Sequence, residues 1–150
     1  MPLLHESAIG YVLGRTCHIM RTTLRATFSA SGHDVTPEEW GLLNRLWEQD
    51  GRRQAELADA TIRDRTTVTR LLDGMVAKGL VRRETDPDDR RAVQTWLTTK
   101  GRAMRRKLIP IADELLDRAT QGVSERDLAL TISTLQRLQG NLFPAAEDDA

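Results

Sequence analysis

The sequence predicts a mainly helical protein with one small β-ribbon, in the order α-α-α-α-β-β-α-α. Three observations predict it. Apolar residues recur at three- and four-residue spacing in four stretches of the 150 residues, around 9–28, 40–47, 68–76 and 128–142. Helix-start signals, a Thr, Asp or Ser ahead of an apolar stripe, stand at Thr36, Asp64, Thr98 and Ser124. The hydrophobic period shifts toward two over residues 80–85 and 92–97, on either side of a polar turn that contains Pro87.

The first helix is expected over residues 4–31, with Ile9, Val12, Leu13, Met20, Leu24 and Phe28 on one stripe and Ser31-Gly32-His33-Asp34 ending it. Thr36-Pro37-Glu38-Glu39 starts the second. Thr36 is placed as N-cap, Pro37 at the first helical position and Glu39 for a capping box. This helix carries Trp40, Leu43, Leu46 and Trp47 to about Asp50-Gly51. A short helix over Gln54–Ala60 follows, then a turn at Thr61-Ile62-Arg63. Asp64 caps a fourth helix that runs to about Lys78, with Gly79 as its C-terminal stop. Its apolar stripe is Val68, Leu71, Leu72, Met75 and Val76; Arg65, Thr66, Thr69, Arg70 and Asp73 lie on the other face. Leu80–Thr85 and Ala92–Leu97 form a ribbon with a charged tip, Asp86-Pro87-Asp88-Asp89-Arg90-Arg91. A long helix over about 99–121 contains Pro110, which should kink it. A last helix opens at Ser124 and carries Leu128, Ile132, Leu135, Leu138 and Leu142; an acidic tail, 144–150, ends the chain.

Two helices joined by a tight turn, followed by a ribbon with an Arg-rich tip, make a winged helix-turn-helix. A helix about 10–12 Å across fits a major groove about 12 Å wide. The fourth helix can bury its stripe while Arg65, Thr66, Thr69 and Arg70 face outward. Arg can donate two hydrogen bonds to a guanine edge, and Thr can bond a base or present a methyl to thymine. A wing arginine can reach a narrow, electronegative minor groove. Arg52, Arg53, Arg82 and Arg83 stand near helix or strand ends, where phosphate contacts are natural. The charge agrees in its distribution. The 22 Lys+Arg and 22 Asp+Glu cancel overall, but residues 52–107 carry +7, between segments at −2 and −5. A local basic field attracts a polyanion whatever the total; the bland alternative is a solvated basic face.

Leu57-Ala58, then Asp64-Arg65-Thr66-Thr67-Val68-Thr69-Arg70-Leu71-Leu72-Asp73, resembles the helix-turn-helix of MarR-type (multiple antibiotic resistance regulator) transcription factors. Lys78-Gly79-Leu80-Val81 is similar to that family's exit from the recognition helix, Asp86–Val93 to its wing, and Leu97-Thr98-Thr99-Lys100-Gly101 to its strand-to-helix junction. The resemblance covers nearly the whole chain. It implies a ligand-responsive repressor of double-stranded DNA targets, a homodimer with two winged lobes on a pseudo-palindrome. It divides a single 1–150 domain into dimerisation helices (1–34 and 99–143) and a DNA-binding lobe (36–98). By position, Arg91 resembles the family's minor-groove arginine and Asp89 the acid that orients it, with Arg90 between them. Thr67 and Arg63 join the recognition-helix set. One departure stands out: family turns often carry Gly then an apolar residue, where this chain has Ile62-Arg63, which leaves the register of Arg63 and Arg65 open. The resemblance also implies a small aromatic or lipophilic acid as effector. Trp40 and Trp47, with Trp96 and Phe28, either line a cavity for it or pack the core; His18, Arg21 and Arg25 are the polar groups that could meet its charge.

A dimer also follows from the residues. The stripes Ile9/Val12/Leu13/Met20 and Leu128/Ile132/Leu135/Leu138 have little sheet to cover, and a symmetry mate would cover them. No Lys or Arg lies one turn before Cys17, and Tyr11, the one tyrosine, is turned well away from it, so a buried structural thiol is expected in preference to a redox sensor. His5, His18 and His33 lack the i, i+4 pairing or Cys/Asp company of a metal site, and no metal or cofactor is expected. No Gly-rich phosphate loop, Ser-His-Asp signature or apolar carboxylate pair is present, so no enzyme is expected. No apolar run approaches the ~20 residues of a membrane span, and no basic stretch plus apolar core opens the sequence. A cytoplasmic protein without membrane contact is expected. The remaining rival is a winged-helix module that binds protein.

Overall fold

A computed structural model describes residues 8–61 and 63–143. Its elements are α1 (Ile9–Ala30), α2 (Pro37–Glu48), β1 (Arg52–Arg53), α3 (Gln54–Ala60), α4 (Arg65–Ala77), β2 (Val81–Thr85), β3 (Val93–Leu97), α5 (Thr99–Ala119) and α6 (Glu125–Leu142). The mainly helical winged architecture is as expected. The acidic tail, His5 and Ile62 lie outside the described residues.

The chain divides into two units, Met1–Ala112 and Asp113–Ala150. The first holds a core of Phe28, Leu42, Leu43, Leu46, Leu57, Val68, Leu72, Met75, Leu80, Val81, Leu97, Met104 and Leu108. Truncating one such Leu to Ala costs about 2–5 kcal/mol, so α2, α3 and α4 hold one another in place through the residues their periodicity singled out. In the second unit α6 has no buried residue; Ile132 is 48% exposed, and Leu128, Leu135 and Leu138 are half-buried.

The local signals act as their chemistry requires. The Thr36 side chain accepts the Glu39 N–H at 3.2 Å, and the Glu39 carboxylate accepts the Thr36 N–H at 3.0 Å. Glu39 is buried, and Lys78 Nζ donates to both its carboxylate oxygens at 3.0 and 2.9 Å. That pair fastens the end of α4 to the start of α2. Gly79 sits at φ +70, where the Cβ of any other residue is penalised, and closes α4. Thr98 accepts the Gly101 N–H at 3.0 Å and donates to the Gly79 carbonyl at 2.6 Å. A Cβ on Gly101 would stand 2.0 Å from the Leu80 carbonyl oxygen, so the Leu-Thr-x-x-Gly pattern marks a helix start pressed against the exit of α4.

Three expectations are corrected. The ribbon is a three-stranded antiparallel sheet in the order β1-β3-β2, with Arg52 paired to Thr95 and Arg83 to Thr95 from the other side. Two residues are too short to show a period, so β1 left no pattern. Of the α1 stripe, only Phe28 is buried; Ile9, Val12 and Leu13, for which a symmetry mate is the expected cover, are exposed. Val76 is exposed although it continues the α4 stripe; α4 ends one residue later, where the chain turns away. Cys17 is exposed instead of buried, on the stretch of α1 from Ile9 to Ile19 whose residues are all exposed.

Candidate nucleic-acid interface

The recognition segment is built from its cap outward. The turn between α3 and α4 spans four residues, 61–64, and the Arg63 N–H donates to the Ala58 carbonyl at 3.0 Å. Asp64 accepts the Thr67 N–H at 2.8 Å and its hydroxyl at 2.7 Å. The Thr67 hydroxyl and then its N–H hold the Asp64 carboxyl below the usual carboxylate range. With Val68, Leu72 and Met75 buried, Arg65, Thr66 and Arg70 are left exposed on the opposite face. The Thr69 hydroxyl donates to the Arg65 carbonyl at 2.8 Å and accepts from the Gln54 side-chain amide. Thr67 is thus held by its own cap and Thr69 by the helix and Gln54. Arg65, Thr66 and Arg70 make no side-chain hydrogen bond or ion pair among the described residues.

The wing is ordered by its acids. Asp86 is 2% exposed; it accepts the Asp88 N–H at 2.8 Å and Arg53 Nε at 2.6 Å. Asp89 accepts the Arg91 N–H at 3.0 Å, and Arg91 Nε lies 3.9 Å from the same oxygen. The Arg91 side chain is 96% exposed, and Arg90 is exposed beside it. Arg65 and Arg91 open onto one hollow of about 380 Å³, with Arg53, Gln54 and Asp89 on its walls. The recognition helix and the wing therefore present cations to the same space.

The other sequence candidates are placed differently. Arg52 donates to the Arg45 carbonyl, and Arg83 donates to Asp73 and to the Thr69 carbonyl. Arg82 pairs with Glu84 and lies 5.8 Å from the Trp96 ring. Each arginine picked for phosphate thus has a partner within the chain. Arg63 lines a second hollow of about 480 Å³, together with Arg21, Glu38, Asn44 and Arg45. Arg21 is paired with Glu38. Trp40 and Trp47 meet edge to face at 5.5 Å, Phe28 packs on Trp40 at 5.4 Å, and Trp47 Nε1 donates to the Gly101 carbonyl at 3.0 Å. These aromatics are engaged in packing. His18 and Arg25 are exposed on α1. Gln54 was not anticipated; its position, first in a short helix, carries no signal until the fold sets it beside Thr69. Among the described residues no group of three or more His, Cys, Asp or Glu could hold a metal ion, and no helix is long and apolar enough to cross a membrane.

Comparison with known proteins gives a consistent picture. A model of the MarR family matches residues 35–93, the stretch from α2 through the wing to the start of β3. The transcriptional regulator HosA of Escherichia coli O111:H- is 33% identical over 82 residues, 55% of this chain and 61% of HosA. A Staphylococcus aureus MepR–DNA complex superposes with a TM-score of 0.83 at 26% identity, over 90% of this chain and 98% of MepR. Bordetella bronchiseptica BpsR, whose DNA binding is regulated by 6-hydroxynicotinic acid, shares the fold with a TM-score of 0.83 at 23% identity, over 93% of this chain and 98% of BpsR.

Proposed function

We propose that this chain, matched by a model of the MarR family over residues 35–93, is a transcriptional regulator of that family that binds a pseudo-palindromic operator in double-stranded DNA as a homodimer, as a ligand-responsive cytoplasmic repressor. One observation carries the reading: exposed Arg65 and Arg91 converge on one hollow between the recognition helix and the wing. Phosphate contacts would position the protein while Arg65, Thr66 and Arg70 read base edges. The MepR–DNA complex supports duplex DNA as the ligand. The exposed apolar residues of α1 and of α6 support a second copy as partner. Residues 1–34 and 99–143 are the dimerising parts of this reading and 36–98 the reading lobe.

The effector in this reading is a small aromatic or lipophilic acid. BpsR supports the class by its response to 6-hydroxynicotinic acid. Of the sequence candidates, Arg21 lines a hollow that Arg63 at the helix-turn-helix turn shares. An acid bound there would bias the lobe by preferring one of two arrangements.

The test is a titration of the full chain against duplex from its own upstream region, with a random duplex as control. Specific binding that falls steeply with salt is expected, and Arg91→Ala should weaken it on most sequences while the oligomeric state stays unchanged. Undiminished affinity in Arg91→Ala removes the wing from the interface; binding indifferent to salt favours a protein partner.

A further inference from the structure

Arg53 occupies a position where its side chain does nothing for the helix it precedes. It is the N-cap of α3, a site that favours Ser, Thr, Asp or Asn because their side chains accept a backbone N–H. A guanidinium has no acceptor. Only the Glu56 half of the box is made, accepting the Arg53 N–H at 2.9 Å. The Arg53 side chain turns instead to Asp86, 33 residues on, and donates from Nε at 2.6 Å. Asp86 is the one buried carboxylate of the wing. Its other oxygen accepts the Asp88 N–H, and the Gln94 side-chain amide lies at 3.4 Å. The Asp86 N–H in turn donates to the Ala92 carbonyl at 3.0 Å, closing the wing loop.

We propose that Arg53 and Asp86 form a latch that fixes the wing root to the start of α3 and so sets where Arg91 stands relative to Arg65. Arg53 is then a positioning residue and not a phosphate contact. Each group favours the charged form of the other. The Asp86 hydrogen bond raises Arg53 above its ordinary value, and the Asp88 N–H followed by Arg53 holds the Asp86 carboxyl below its range. The wing's remaining ties to the lobe run through its strands, β3 pairing with β1 at Arg52 and Arg53 by backbone alone; the loop that carries Arg91 has no other ionic tie to the start of α3 among the described residues.

The affinity arm of the test rests on the DNA-binding reading, and the hydrogen-exchange arm does not. Asp86→Asn keeps an oxygen for the Asp88 N–H and removes the ionic link. In the free protein it should speed exchange of the Asp88, Arg91 and Ala92 amides while core amides hold. Against the duplex bound by the wild type it should lower affinity roughly tenfold, although removing a negative charge beside DNA would by itself tighten binding. Arg53→Ala should lose as much, with the slope of log affinity against log salt unchanged. The double variant should be no worse than the weaker single variant. Three results overturn the latch: unchanged wing exchange, tighter or equal binding by Asp86→Asn, or a salt slope reduced by about one in Arg53→Ala, which is the mark of a lost phosphate contact. If Asp86→Asn does not fold, Arg53→Ala decides by its exchange and its slope. If the wild type binds no duplex, the functional reading fails while the exchange arm still judges the latch.

Discussion

Residues of one type do different work here according to what they touch. Arg70 is exposed on α4 and makes no ion pair among the described residues, whereas Arg83, a strand residue, is drawn to Asp73 on the same helix. Arg70→Ala should cost about 1–3 kcal/mol of binding on a cognate duplex if it reads a base; equal loss on random duplex assigns it to phosphate instead. Asp64 shows a carboxylate at work inside the fold. Its carboxyl is held below the usual range by the Thr67 hydroxyl and N–H, so the folded state gives up the charge less readily than the unfolded state. That contribution is complete above the ordinary carboxylate pKa of about 3.9 and is lost as pH falls through the lowered folded value. Thermal melts between pH 5 and pH 2.5, on the scale set by that reference value, should show Asp64→Ala with a shallower acid decline than the wild type. Parallel curves would mean that the cap carries no charge-dependent stability.

The elements are decided at their ends. α2 begins in a two-way cap whose Glu39 also takes Lys78 from the end of α4, so one carboxylate serves a helix start and a tertiary joint. α5 begins where Gly101 lets the helix press on the Leu80 carbonyl. Gly101→Ala should destabilise the lobe by about 1–3 kcal/mol, the usual cost of overpacking, because the atom in the way is backbone and cannot rotate aside. Denaturant unfolding measures it; a neutral result would mean that α5 can shift outward without loss. Here the spacing of the motif was legible in the sequence, but its reason was not. A glycine four residues beyond Leu97 reads as a flexible position until Leu80, 21 residues earlier, is found against it. The arginines taught the reverse lesson. Their placement near helix and strand ends suited phosphate, and only the fold brought Arg53 to Asp86 and Arg83 to Asp73.

For the whole molecule, the informative feature is apolar surface left in water. Ile9, Val12, Leu13 and Ile19 are exposed on α1, and Ile132 and Leu142 on α6, although their spacing is that of a core. At roughly 25 cal/mol per Å² of apolar area removed from water, helices patterned in this way gain by finding a partner, and a second copy is the partner proposed. Ile132→Glu should shift the chain from dimer toward monomer in light scattering and weaken operator binding with it, since two half-sites would no longer be held by one molecule. A monomeric wild type, or an unchanged dimer in the variant, would place the contact elsewhere.

The chain by itself determined the elements, their caps and the sites of its cations, because helix period, capping chemistry and charge are properties of a few neighbouring residues. It did not determine the third strand, the buried ion pairs, or which arginines remain free. The third strand and the Arg53–Asp86 and Lys78–Glu39 pairs depend on residues more than 30 positions apart, each pair with its carboxylate nearly buried, and Arg83 meets Asp73 only because β2 runs back beside α4. There a guanidinium or carboxylate takes whatever partner the packing brings, and no local pattern records that choice.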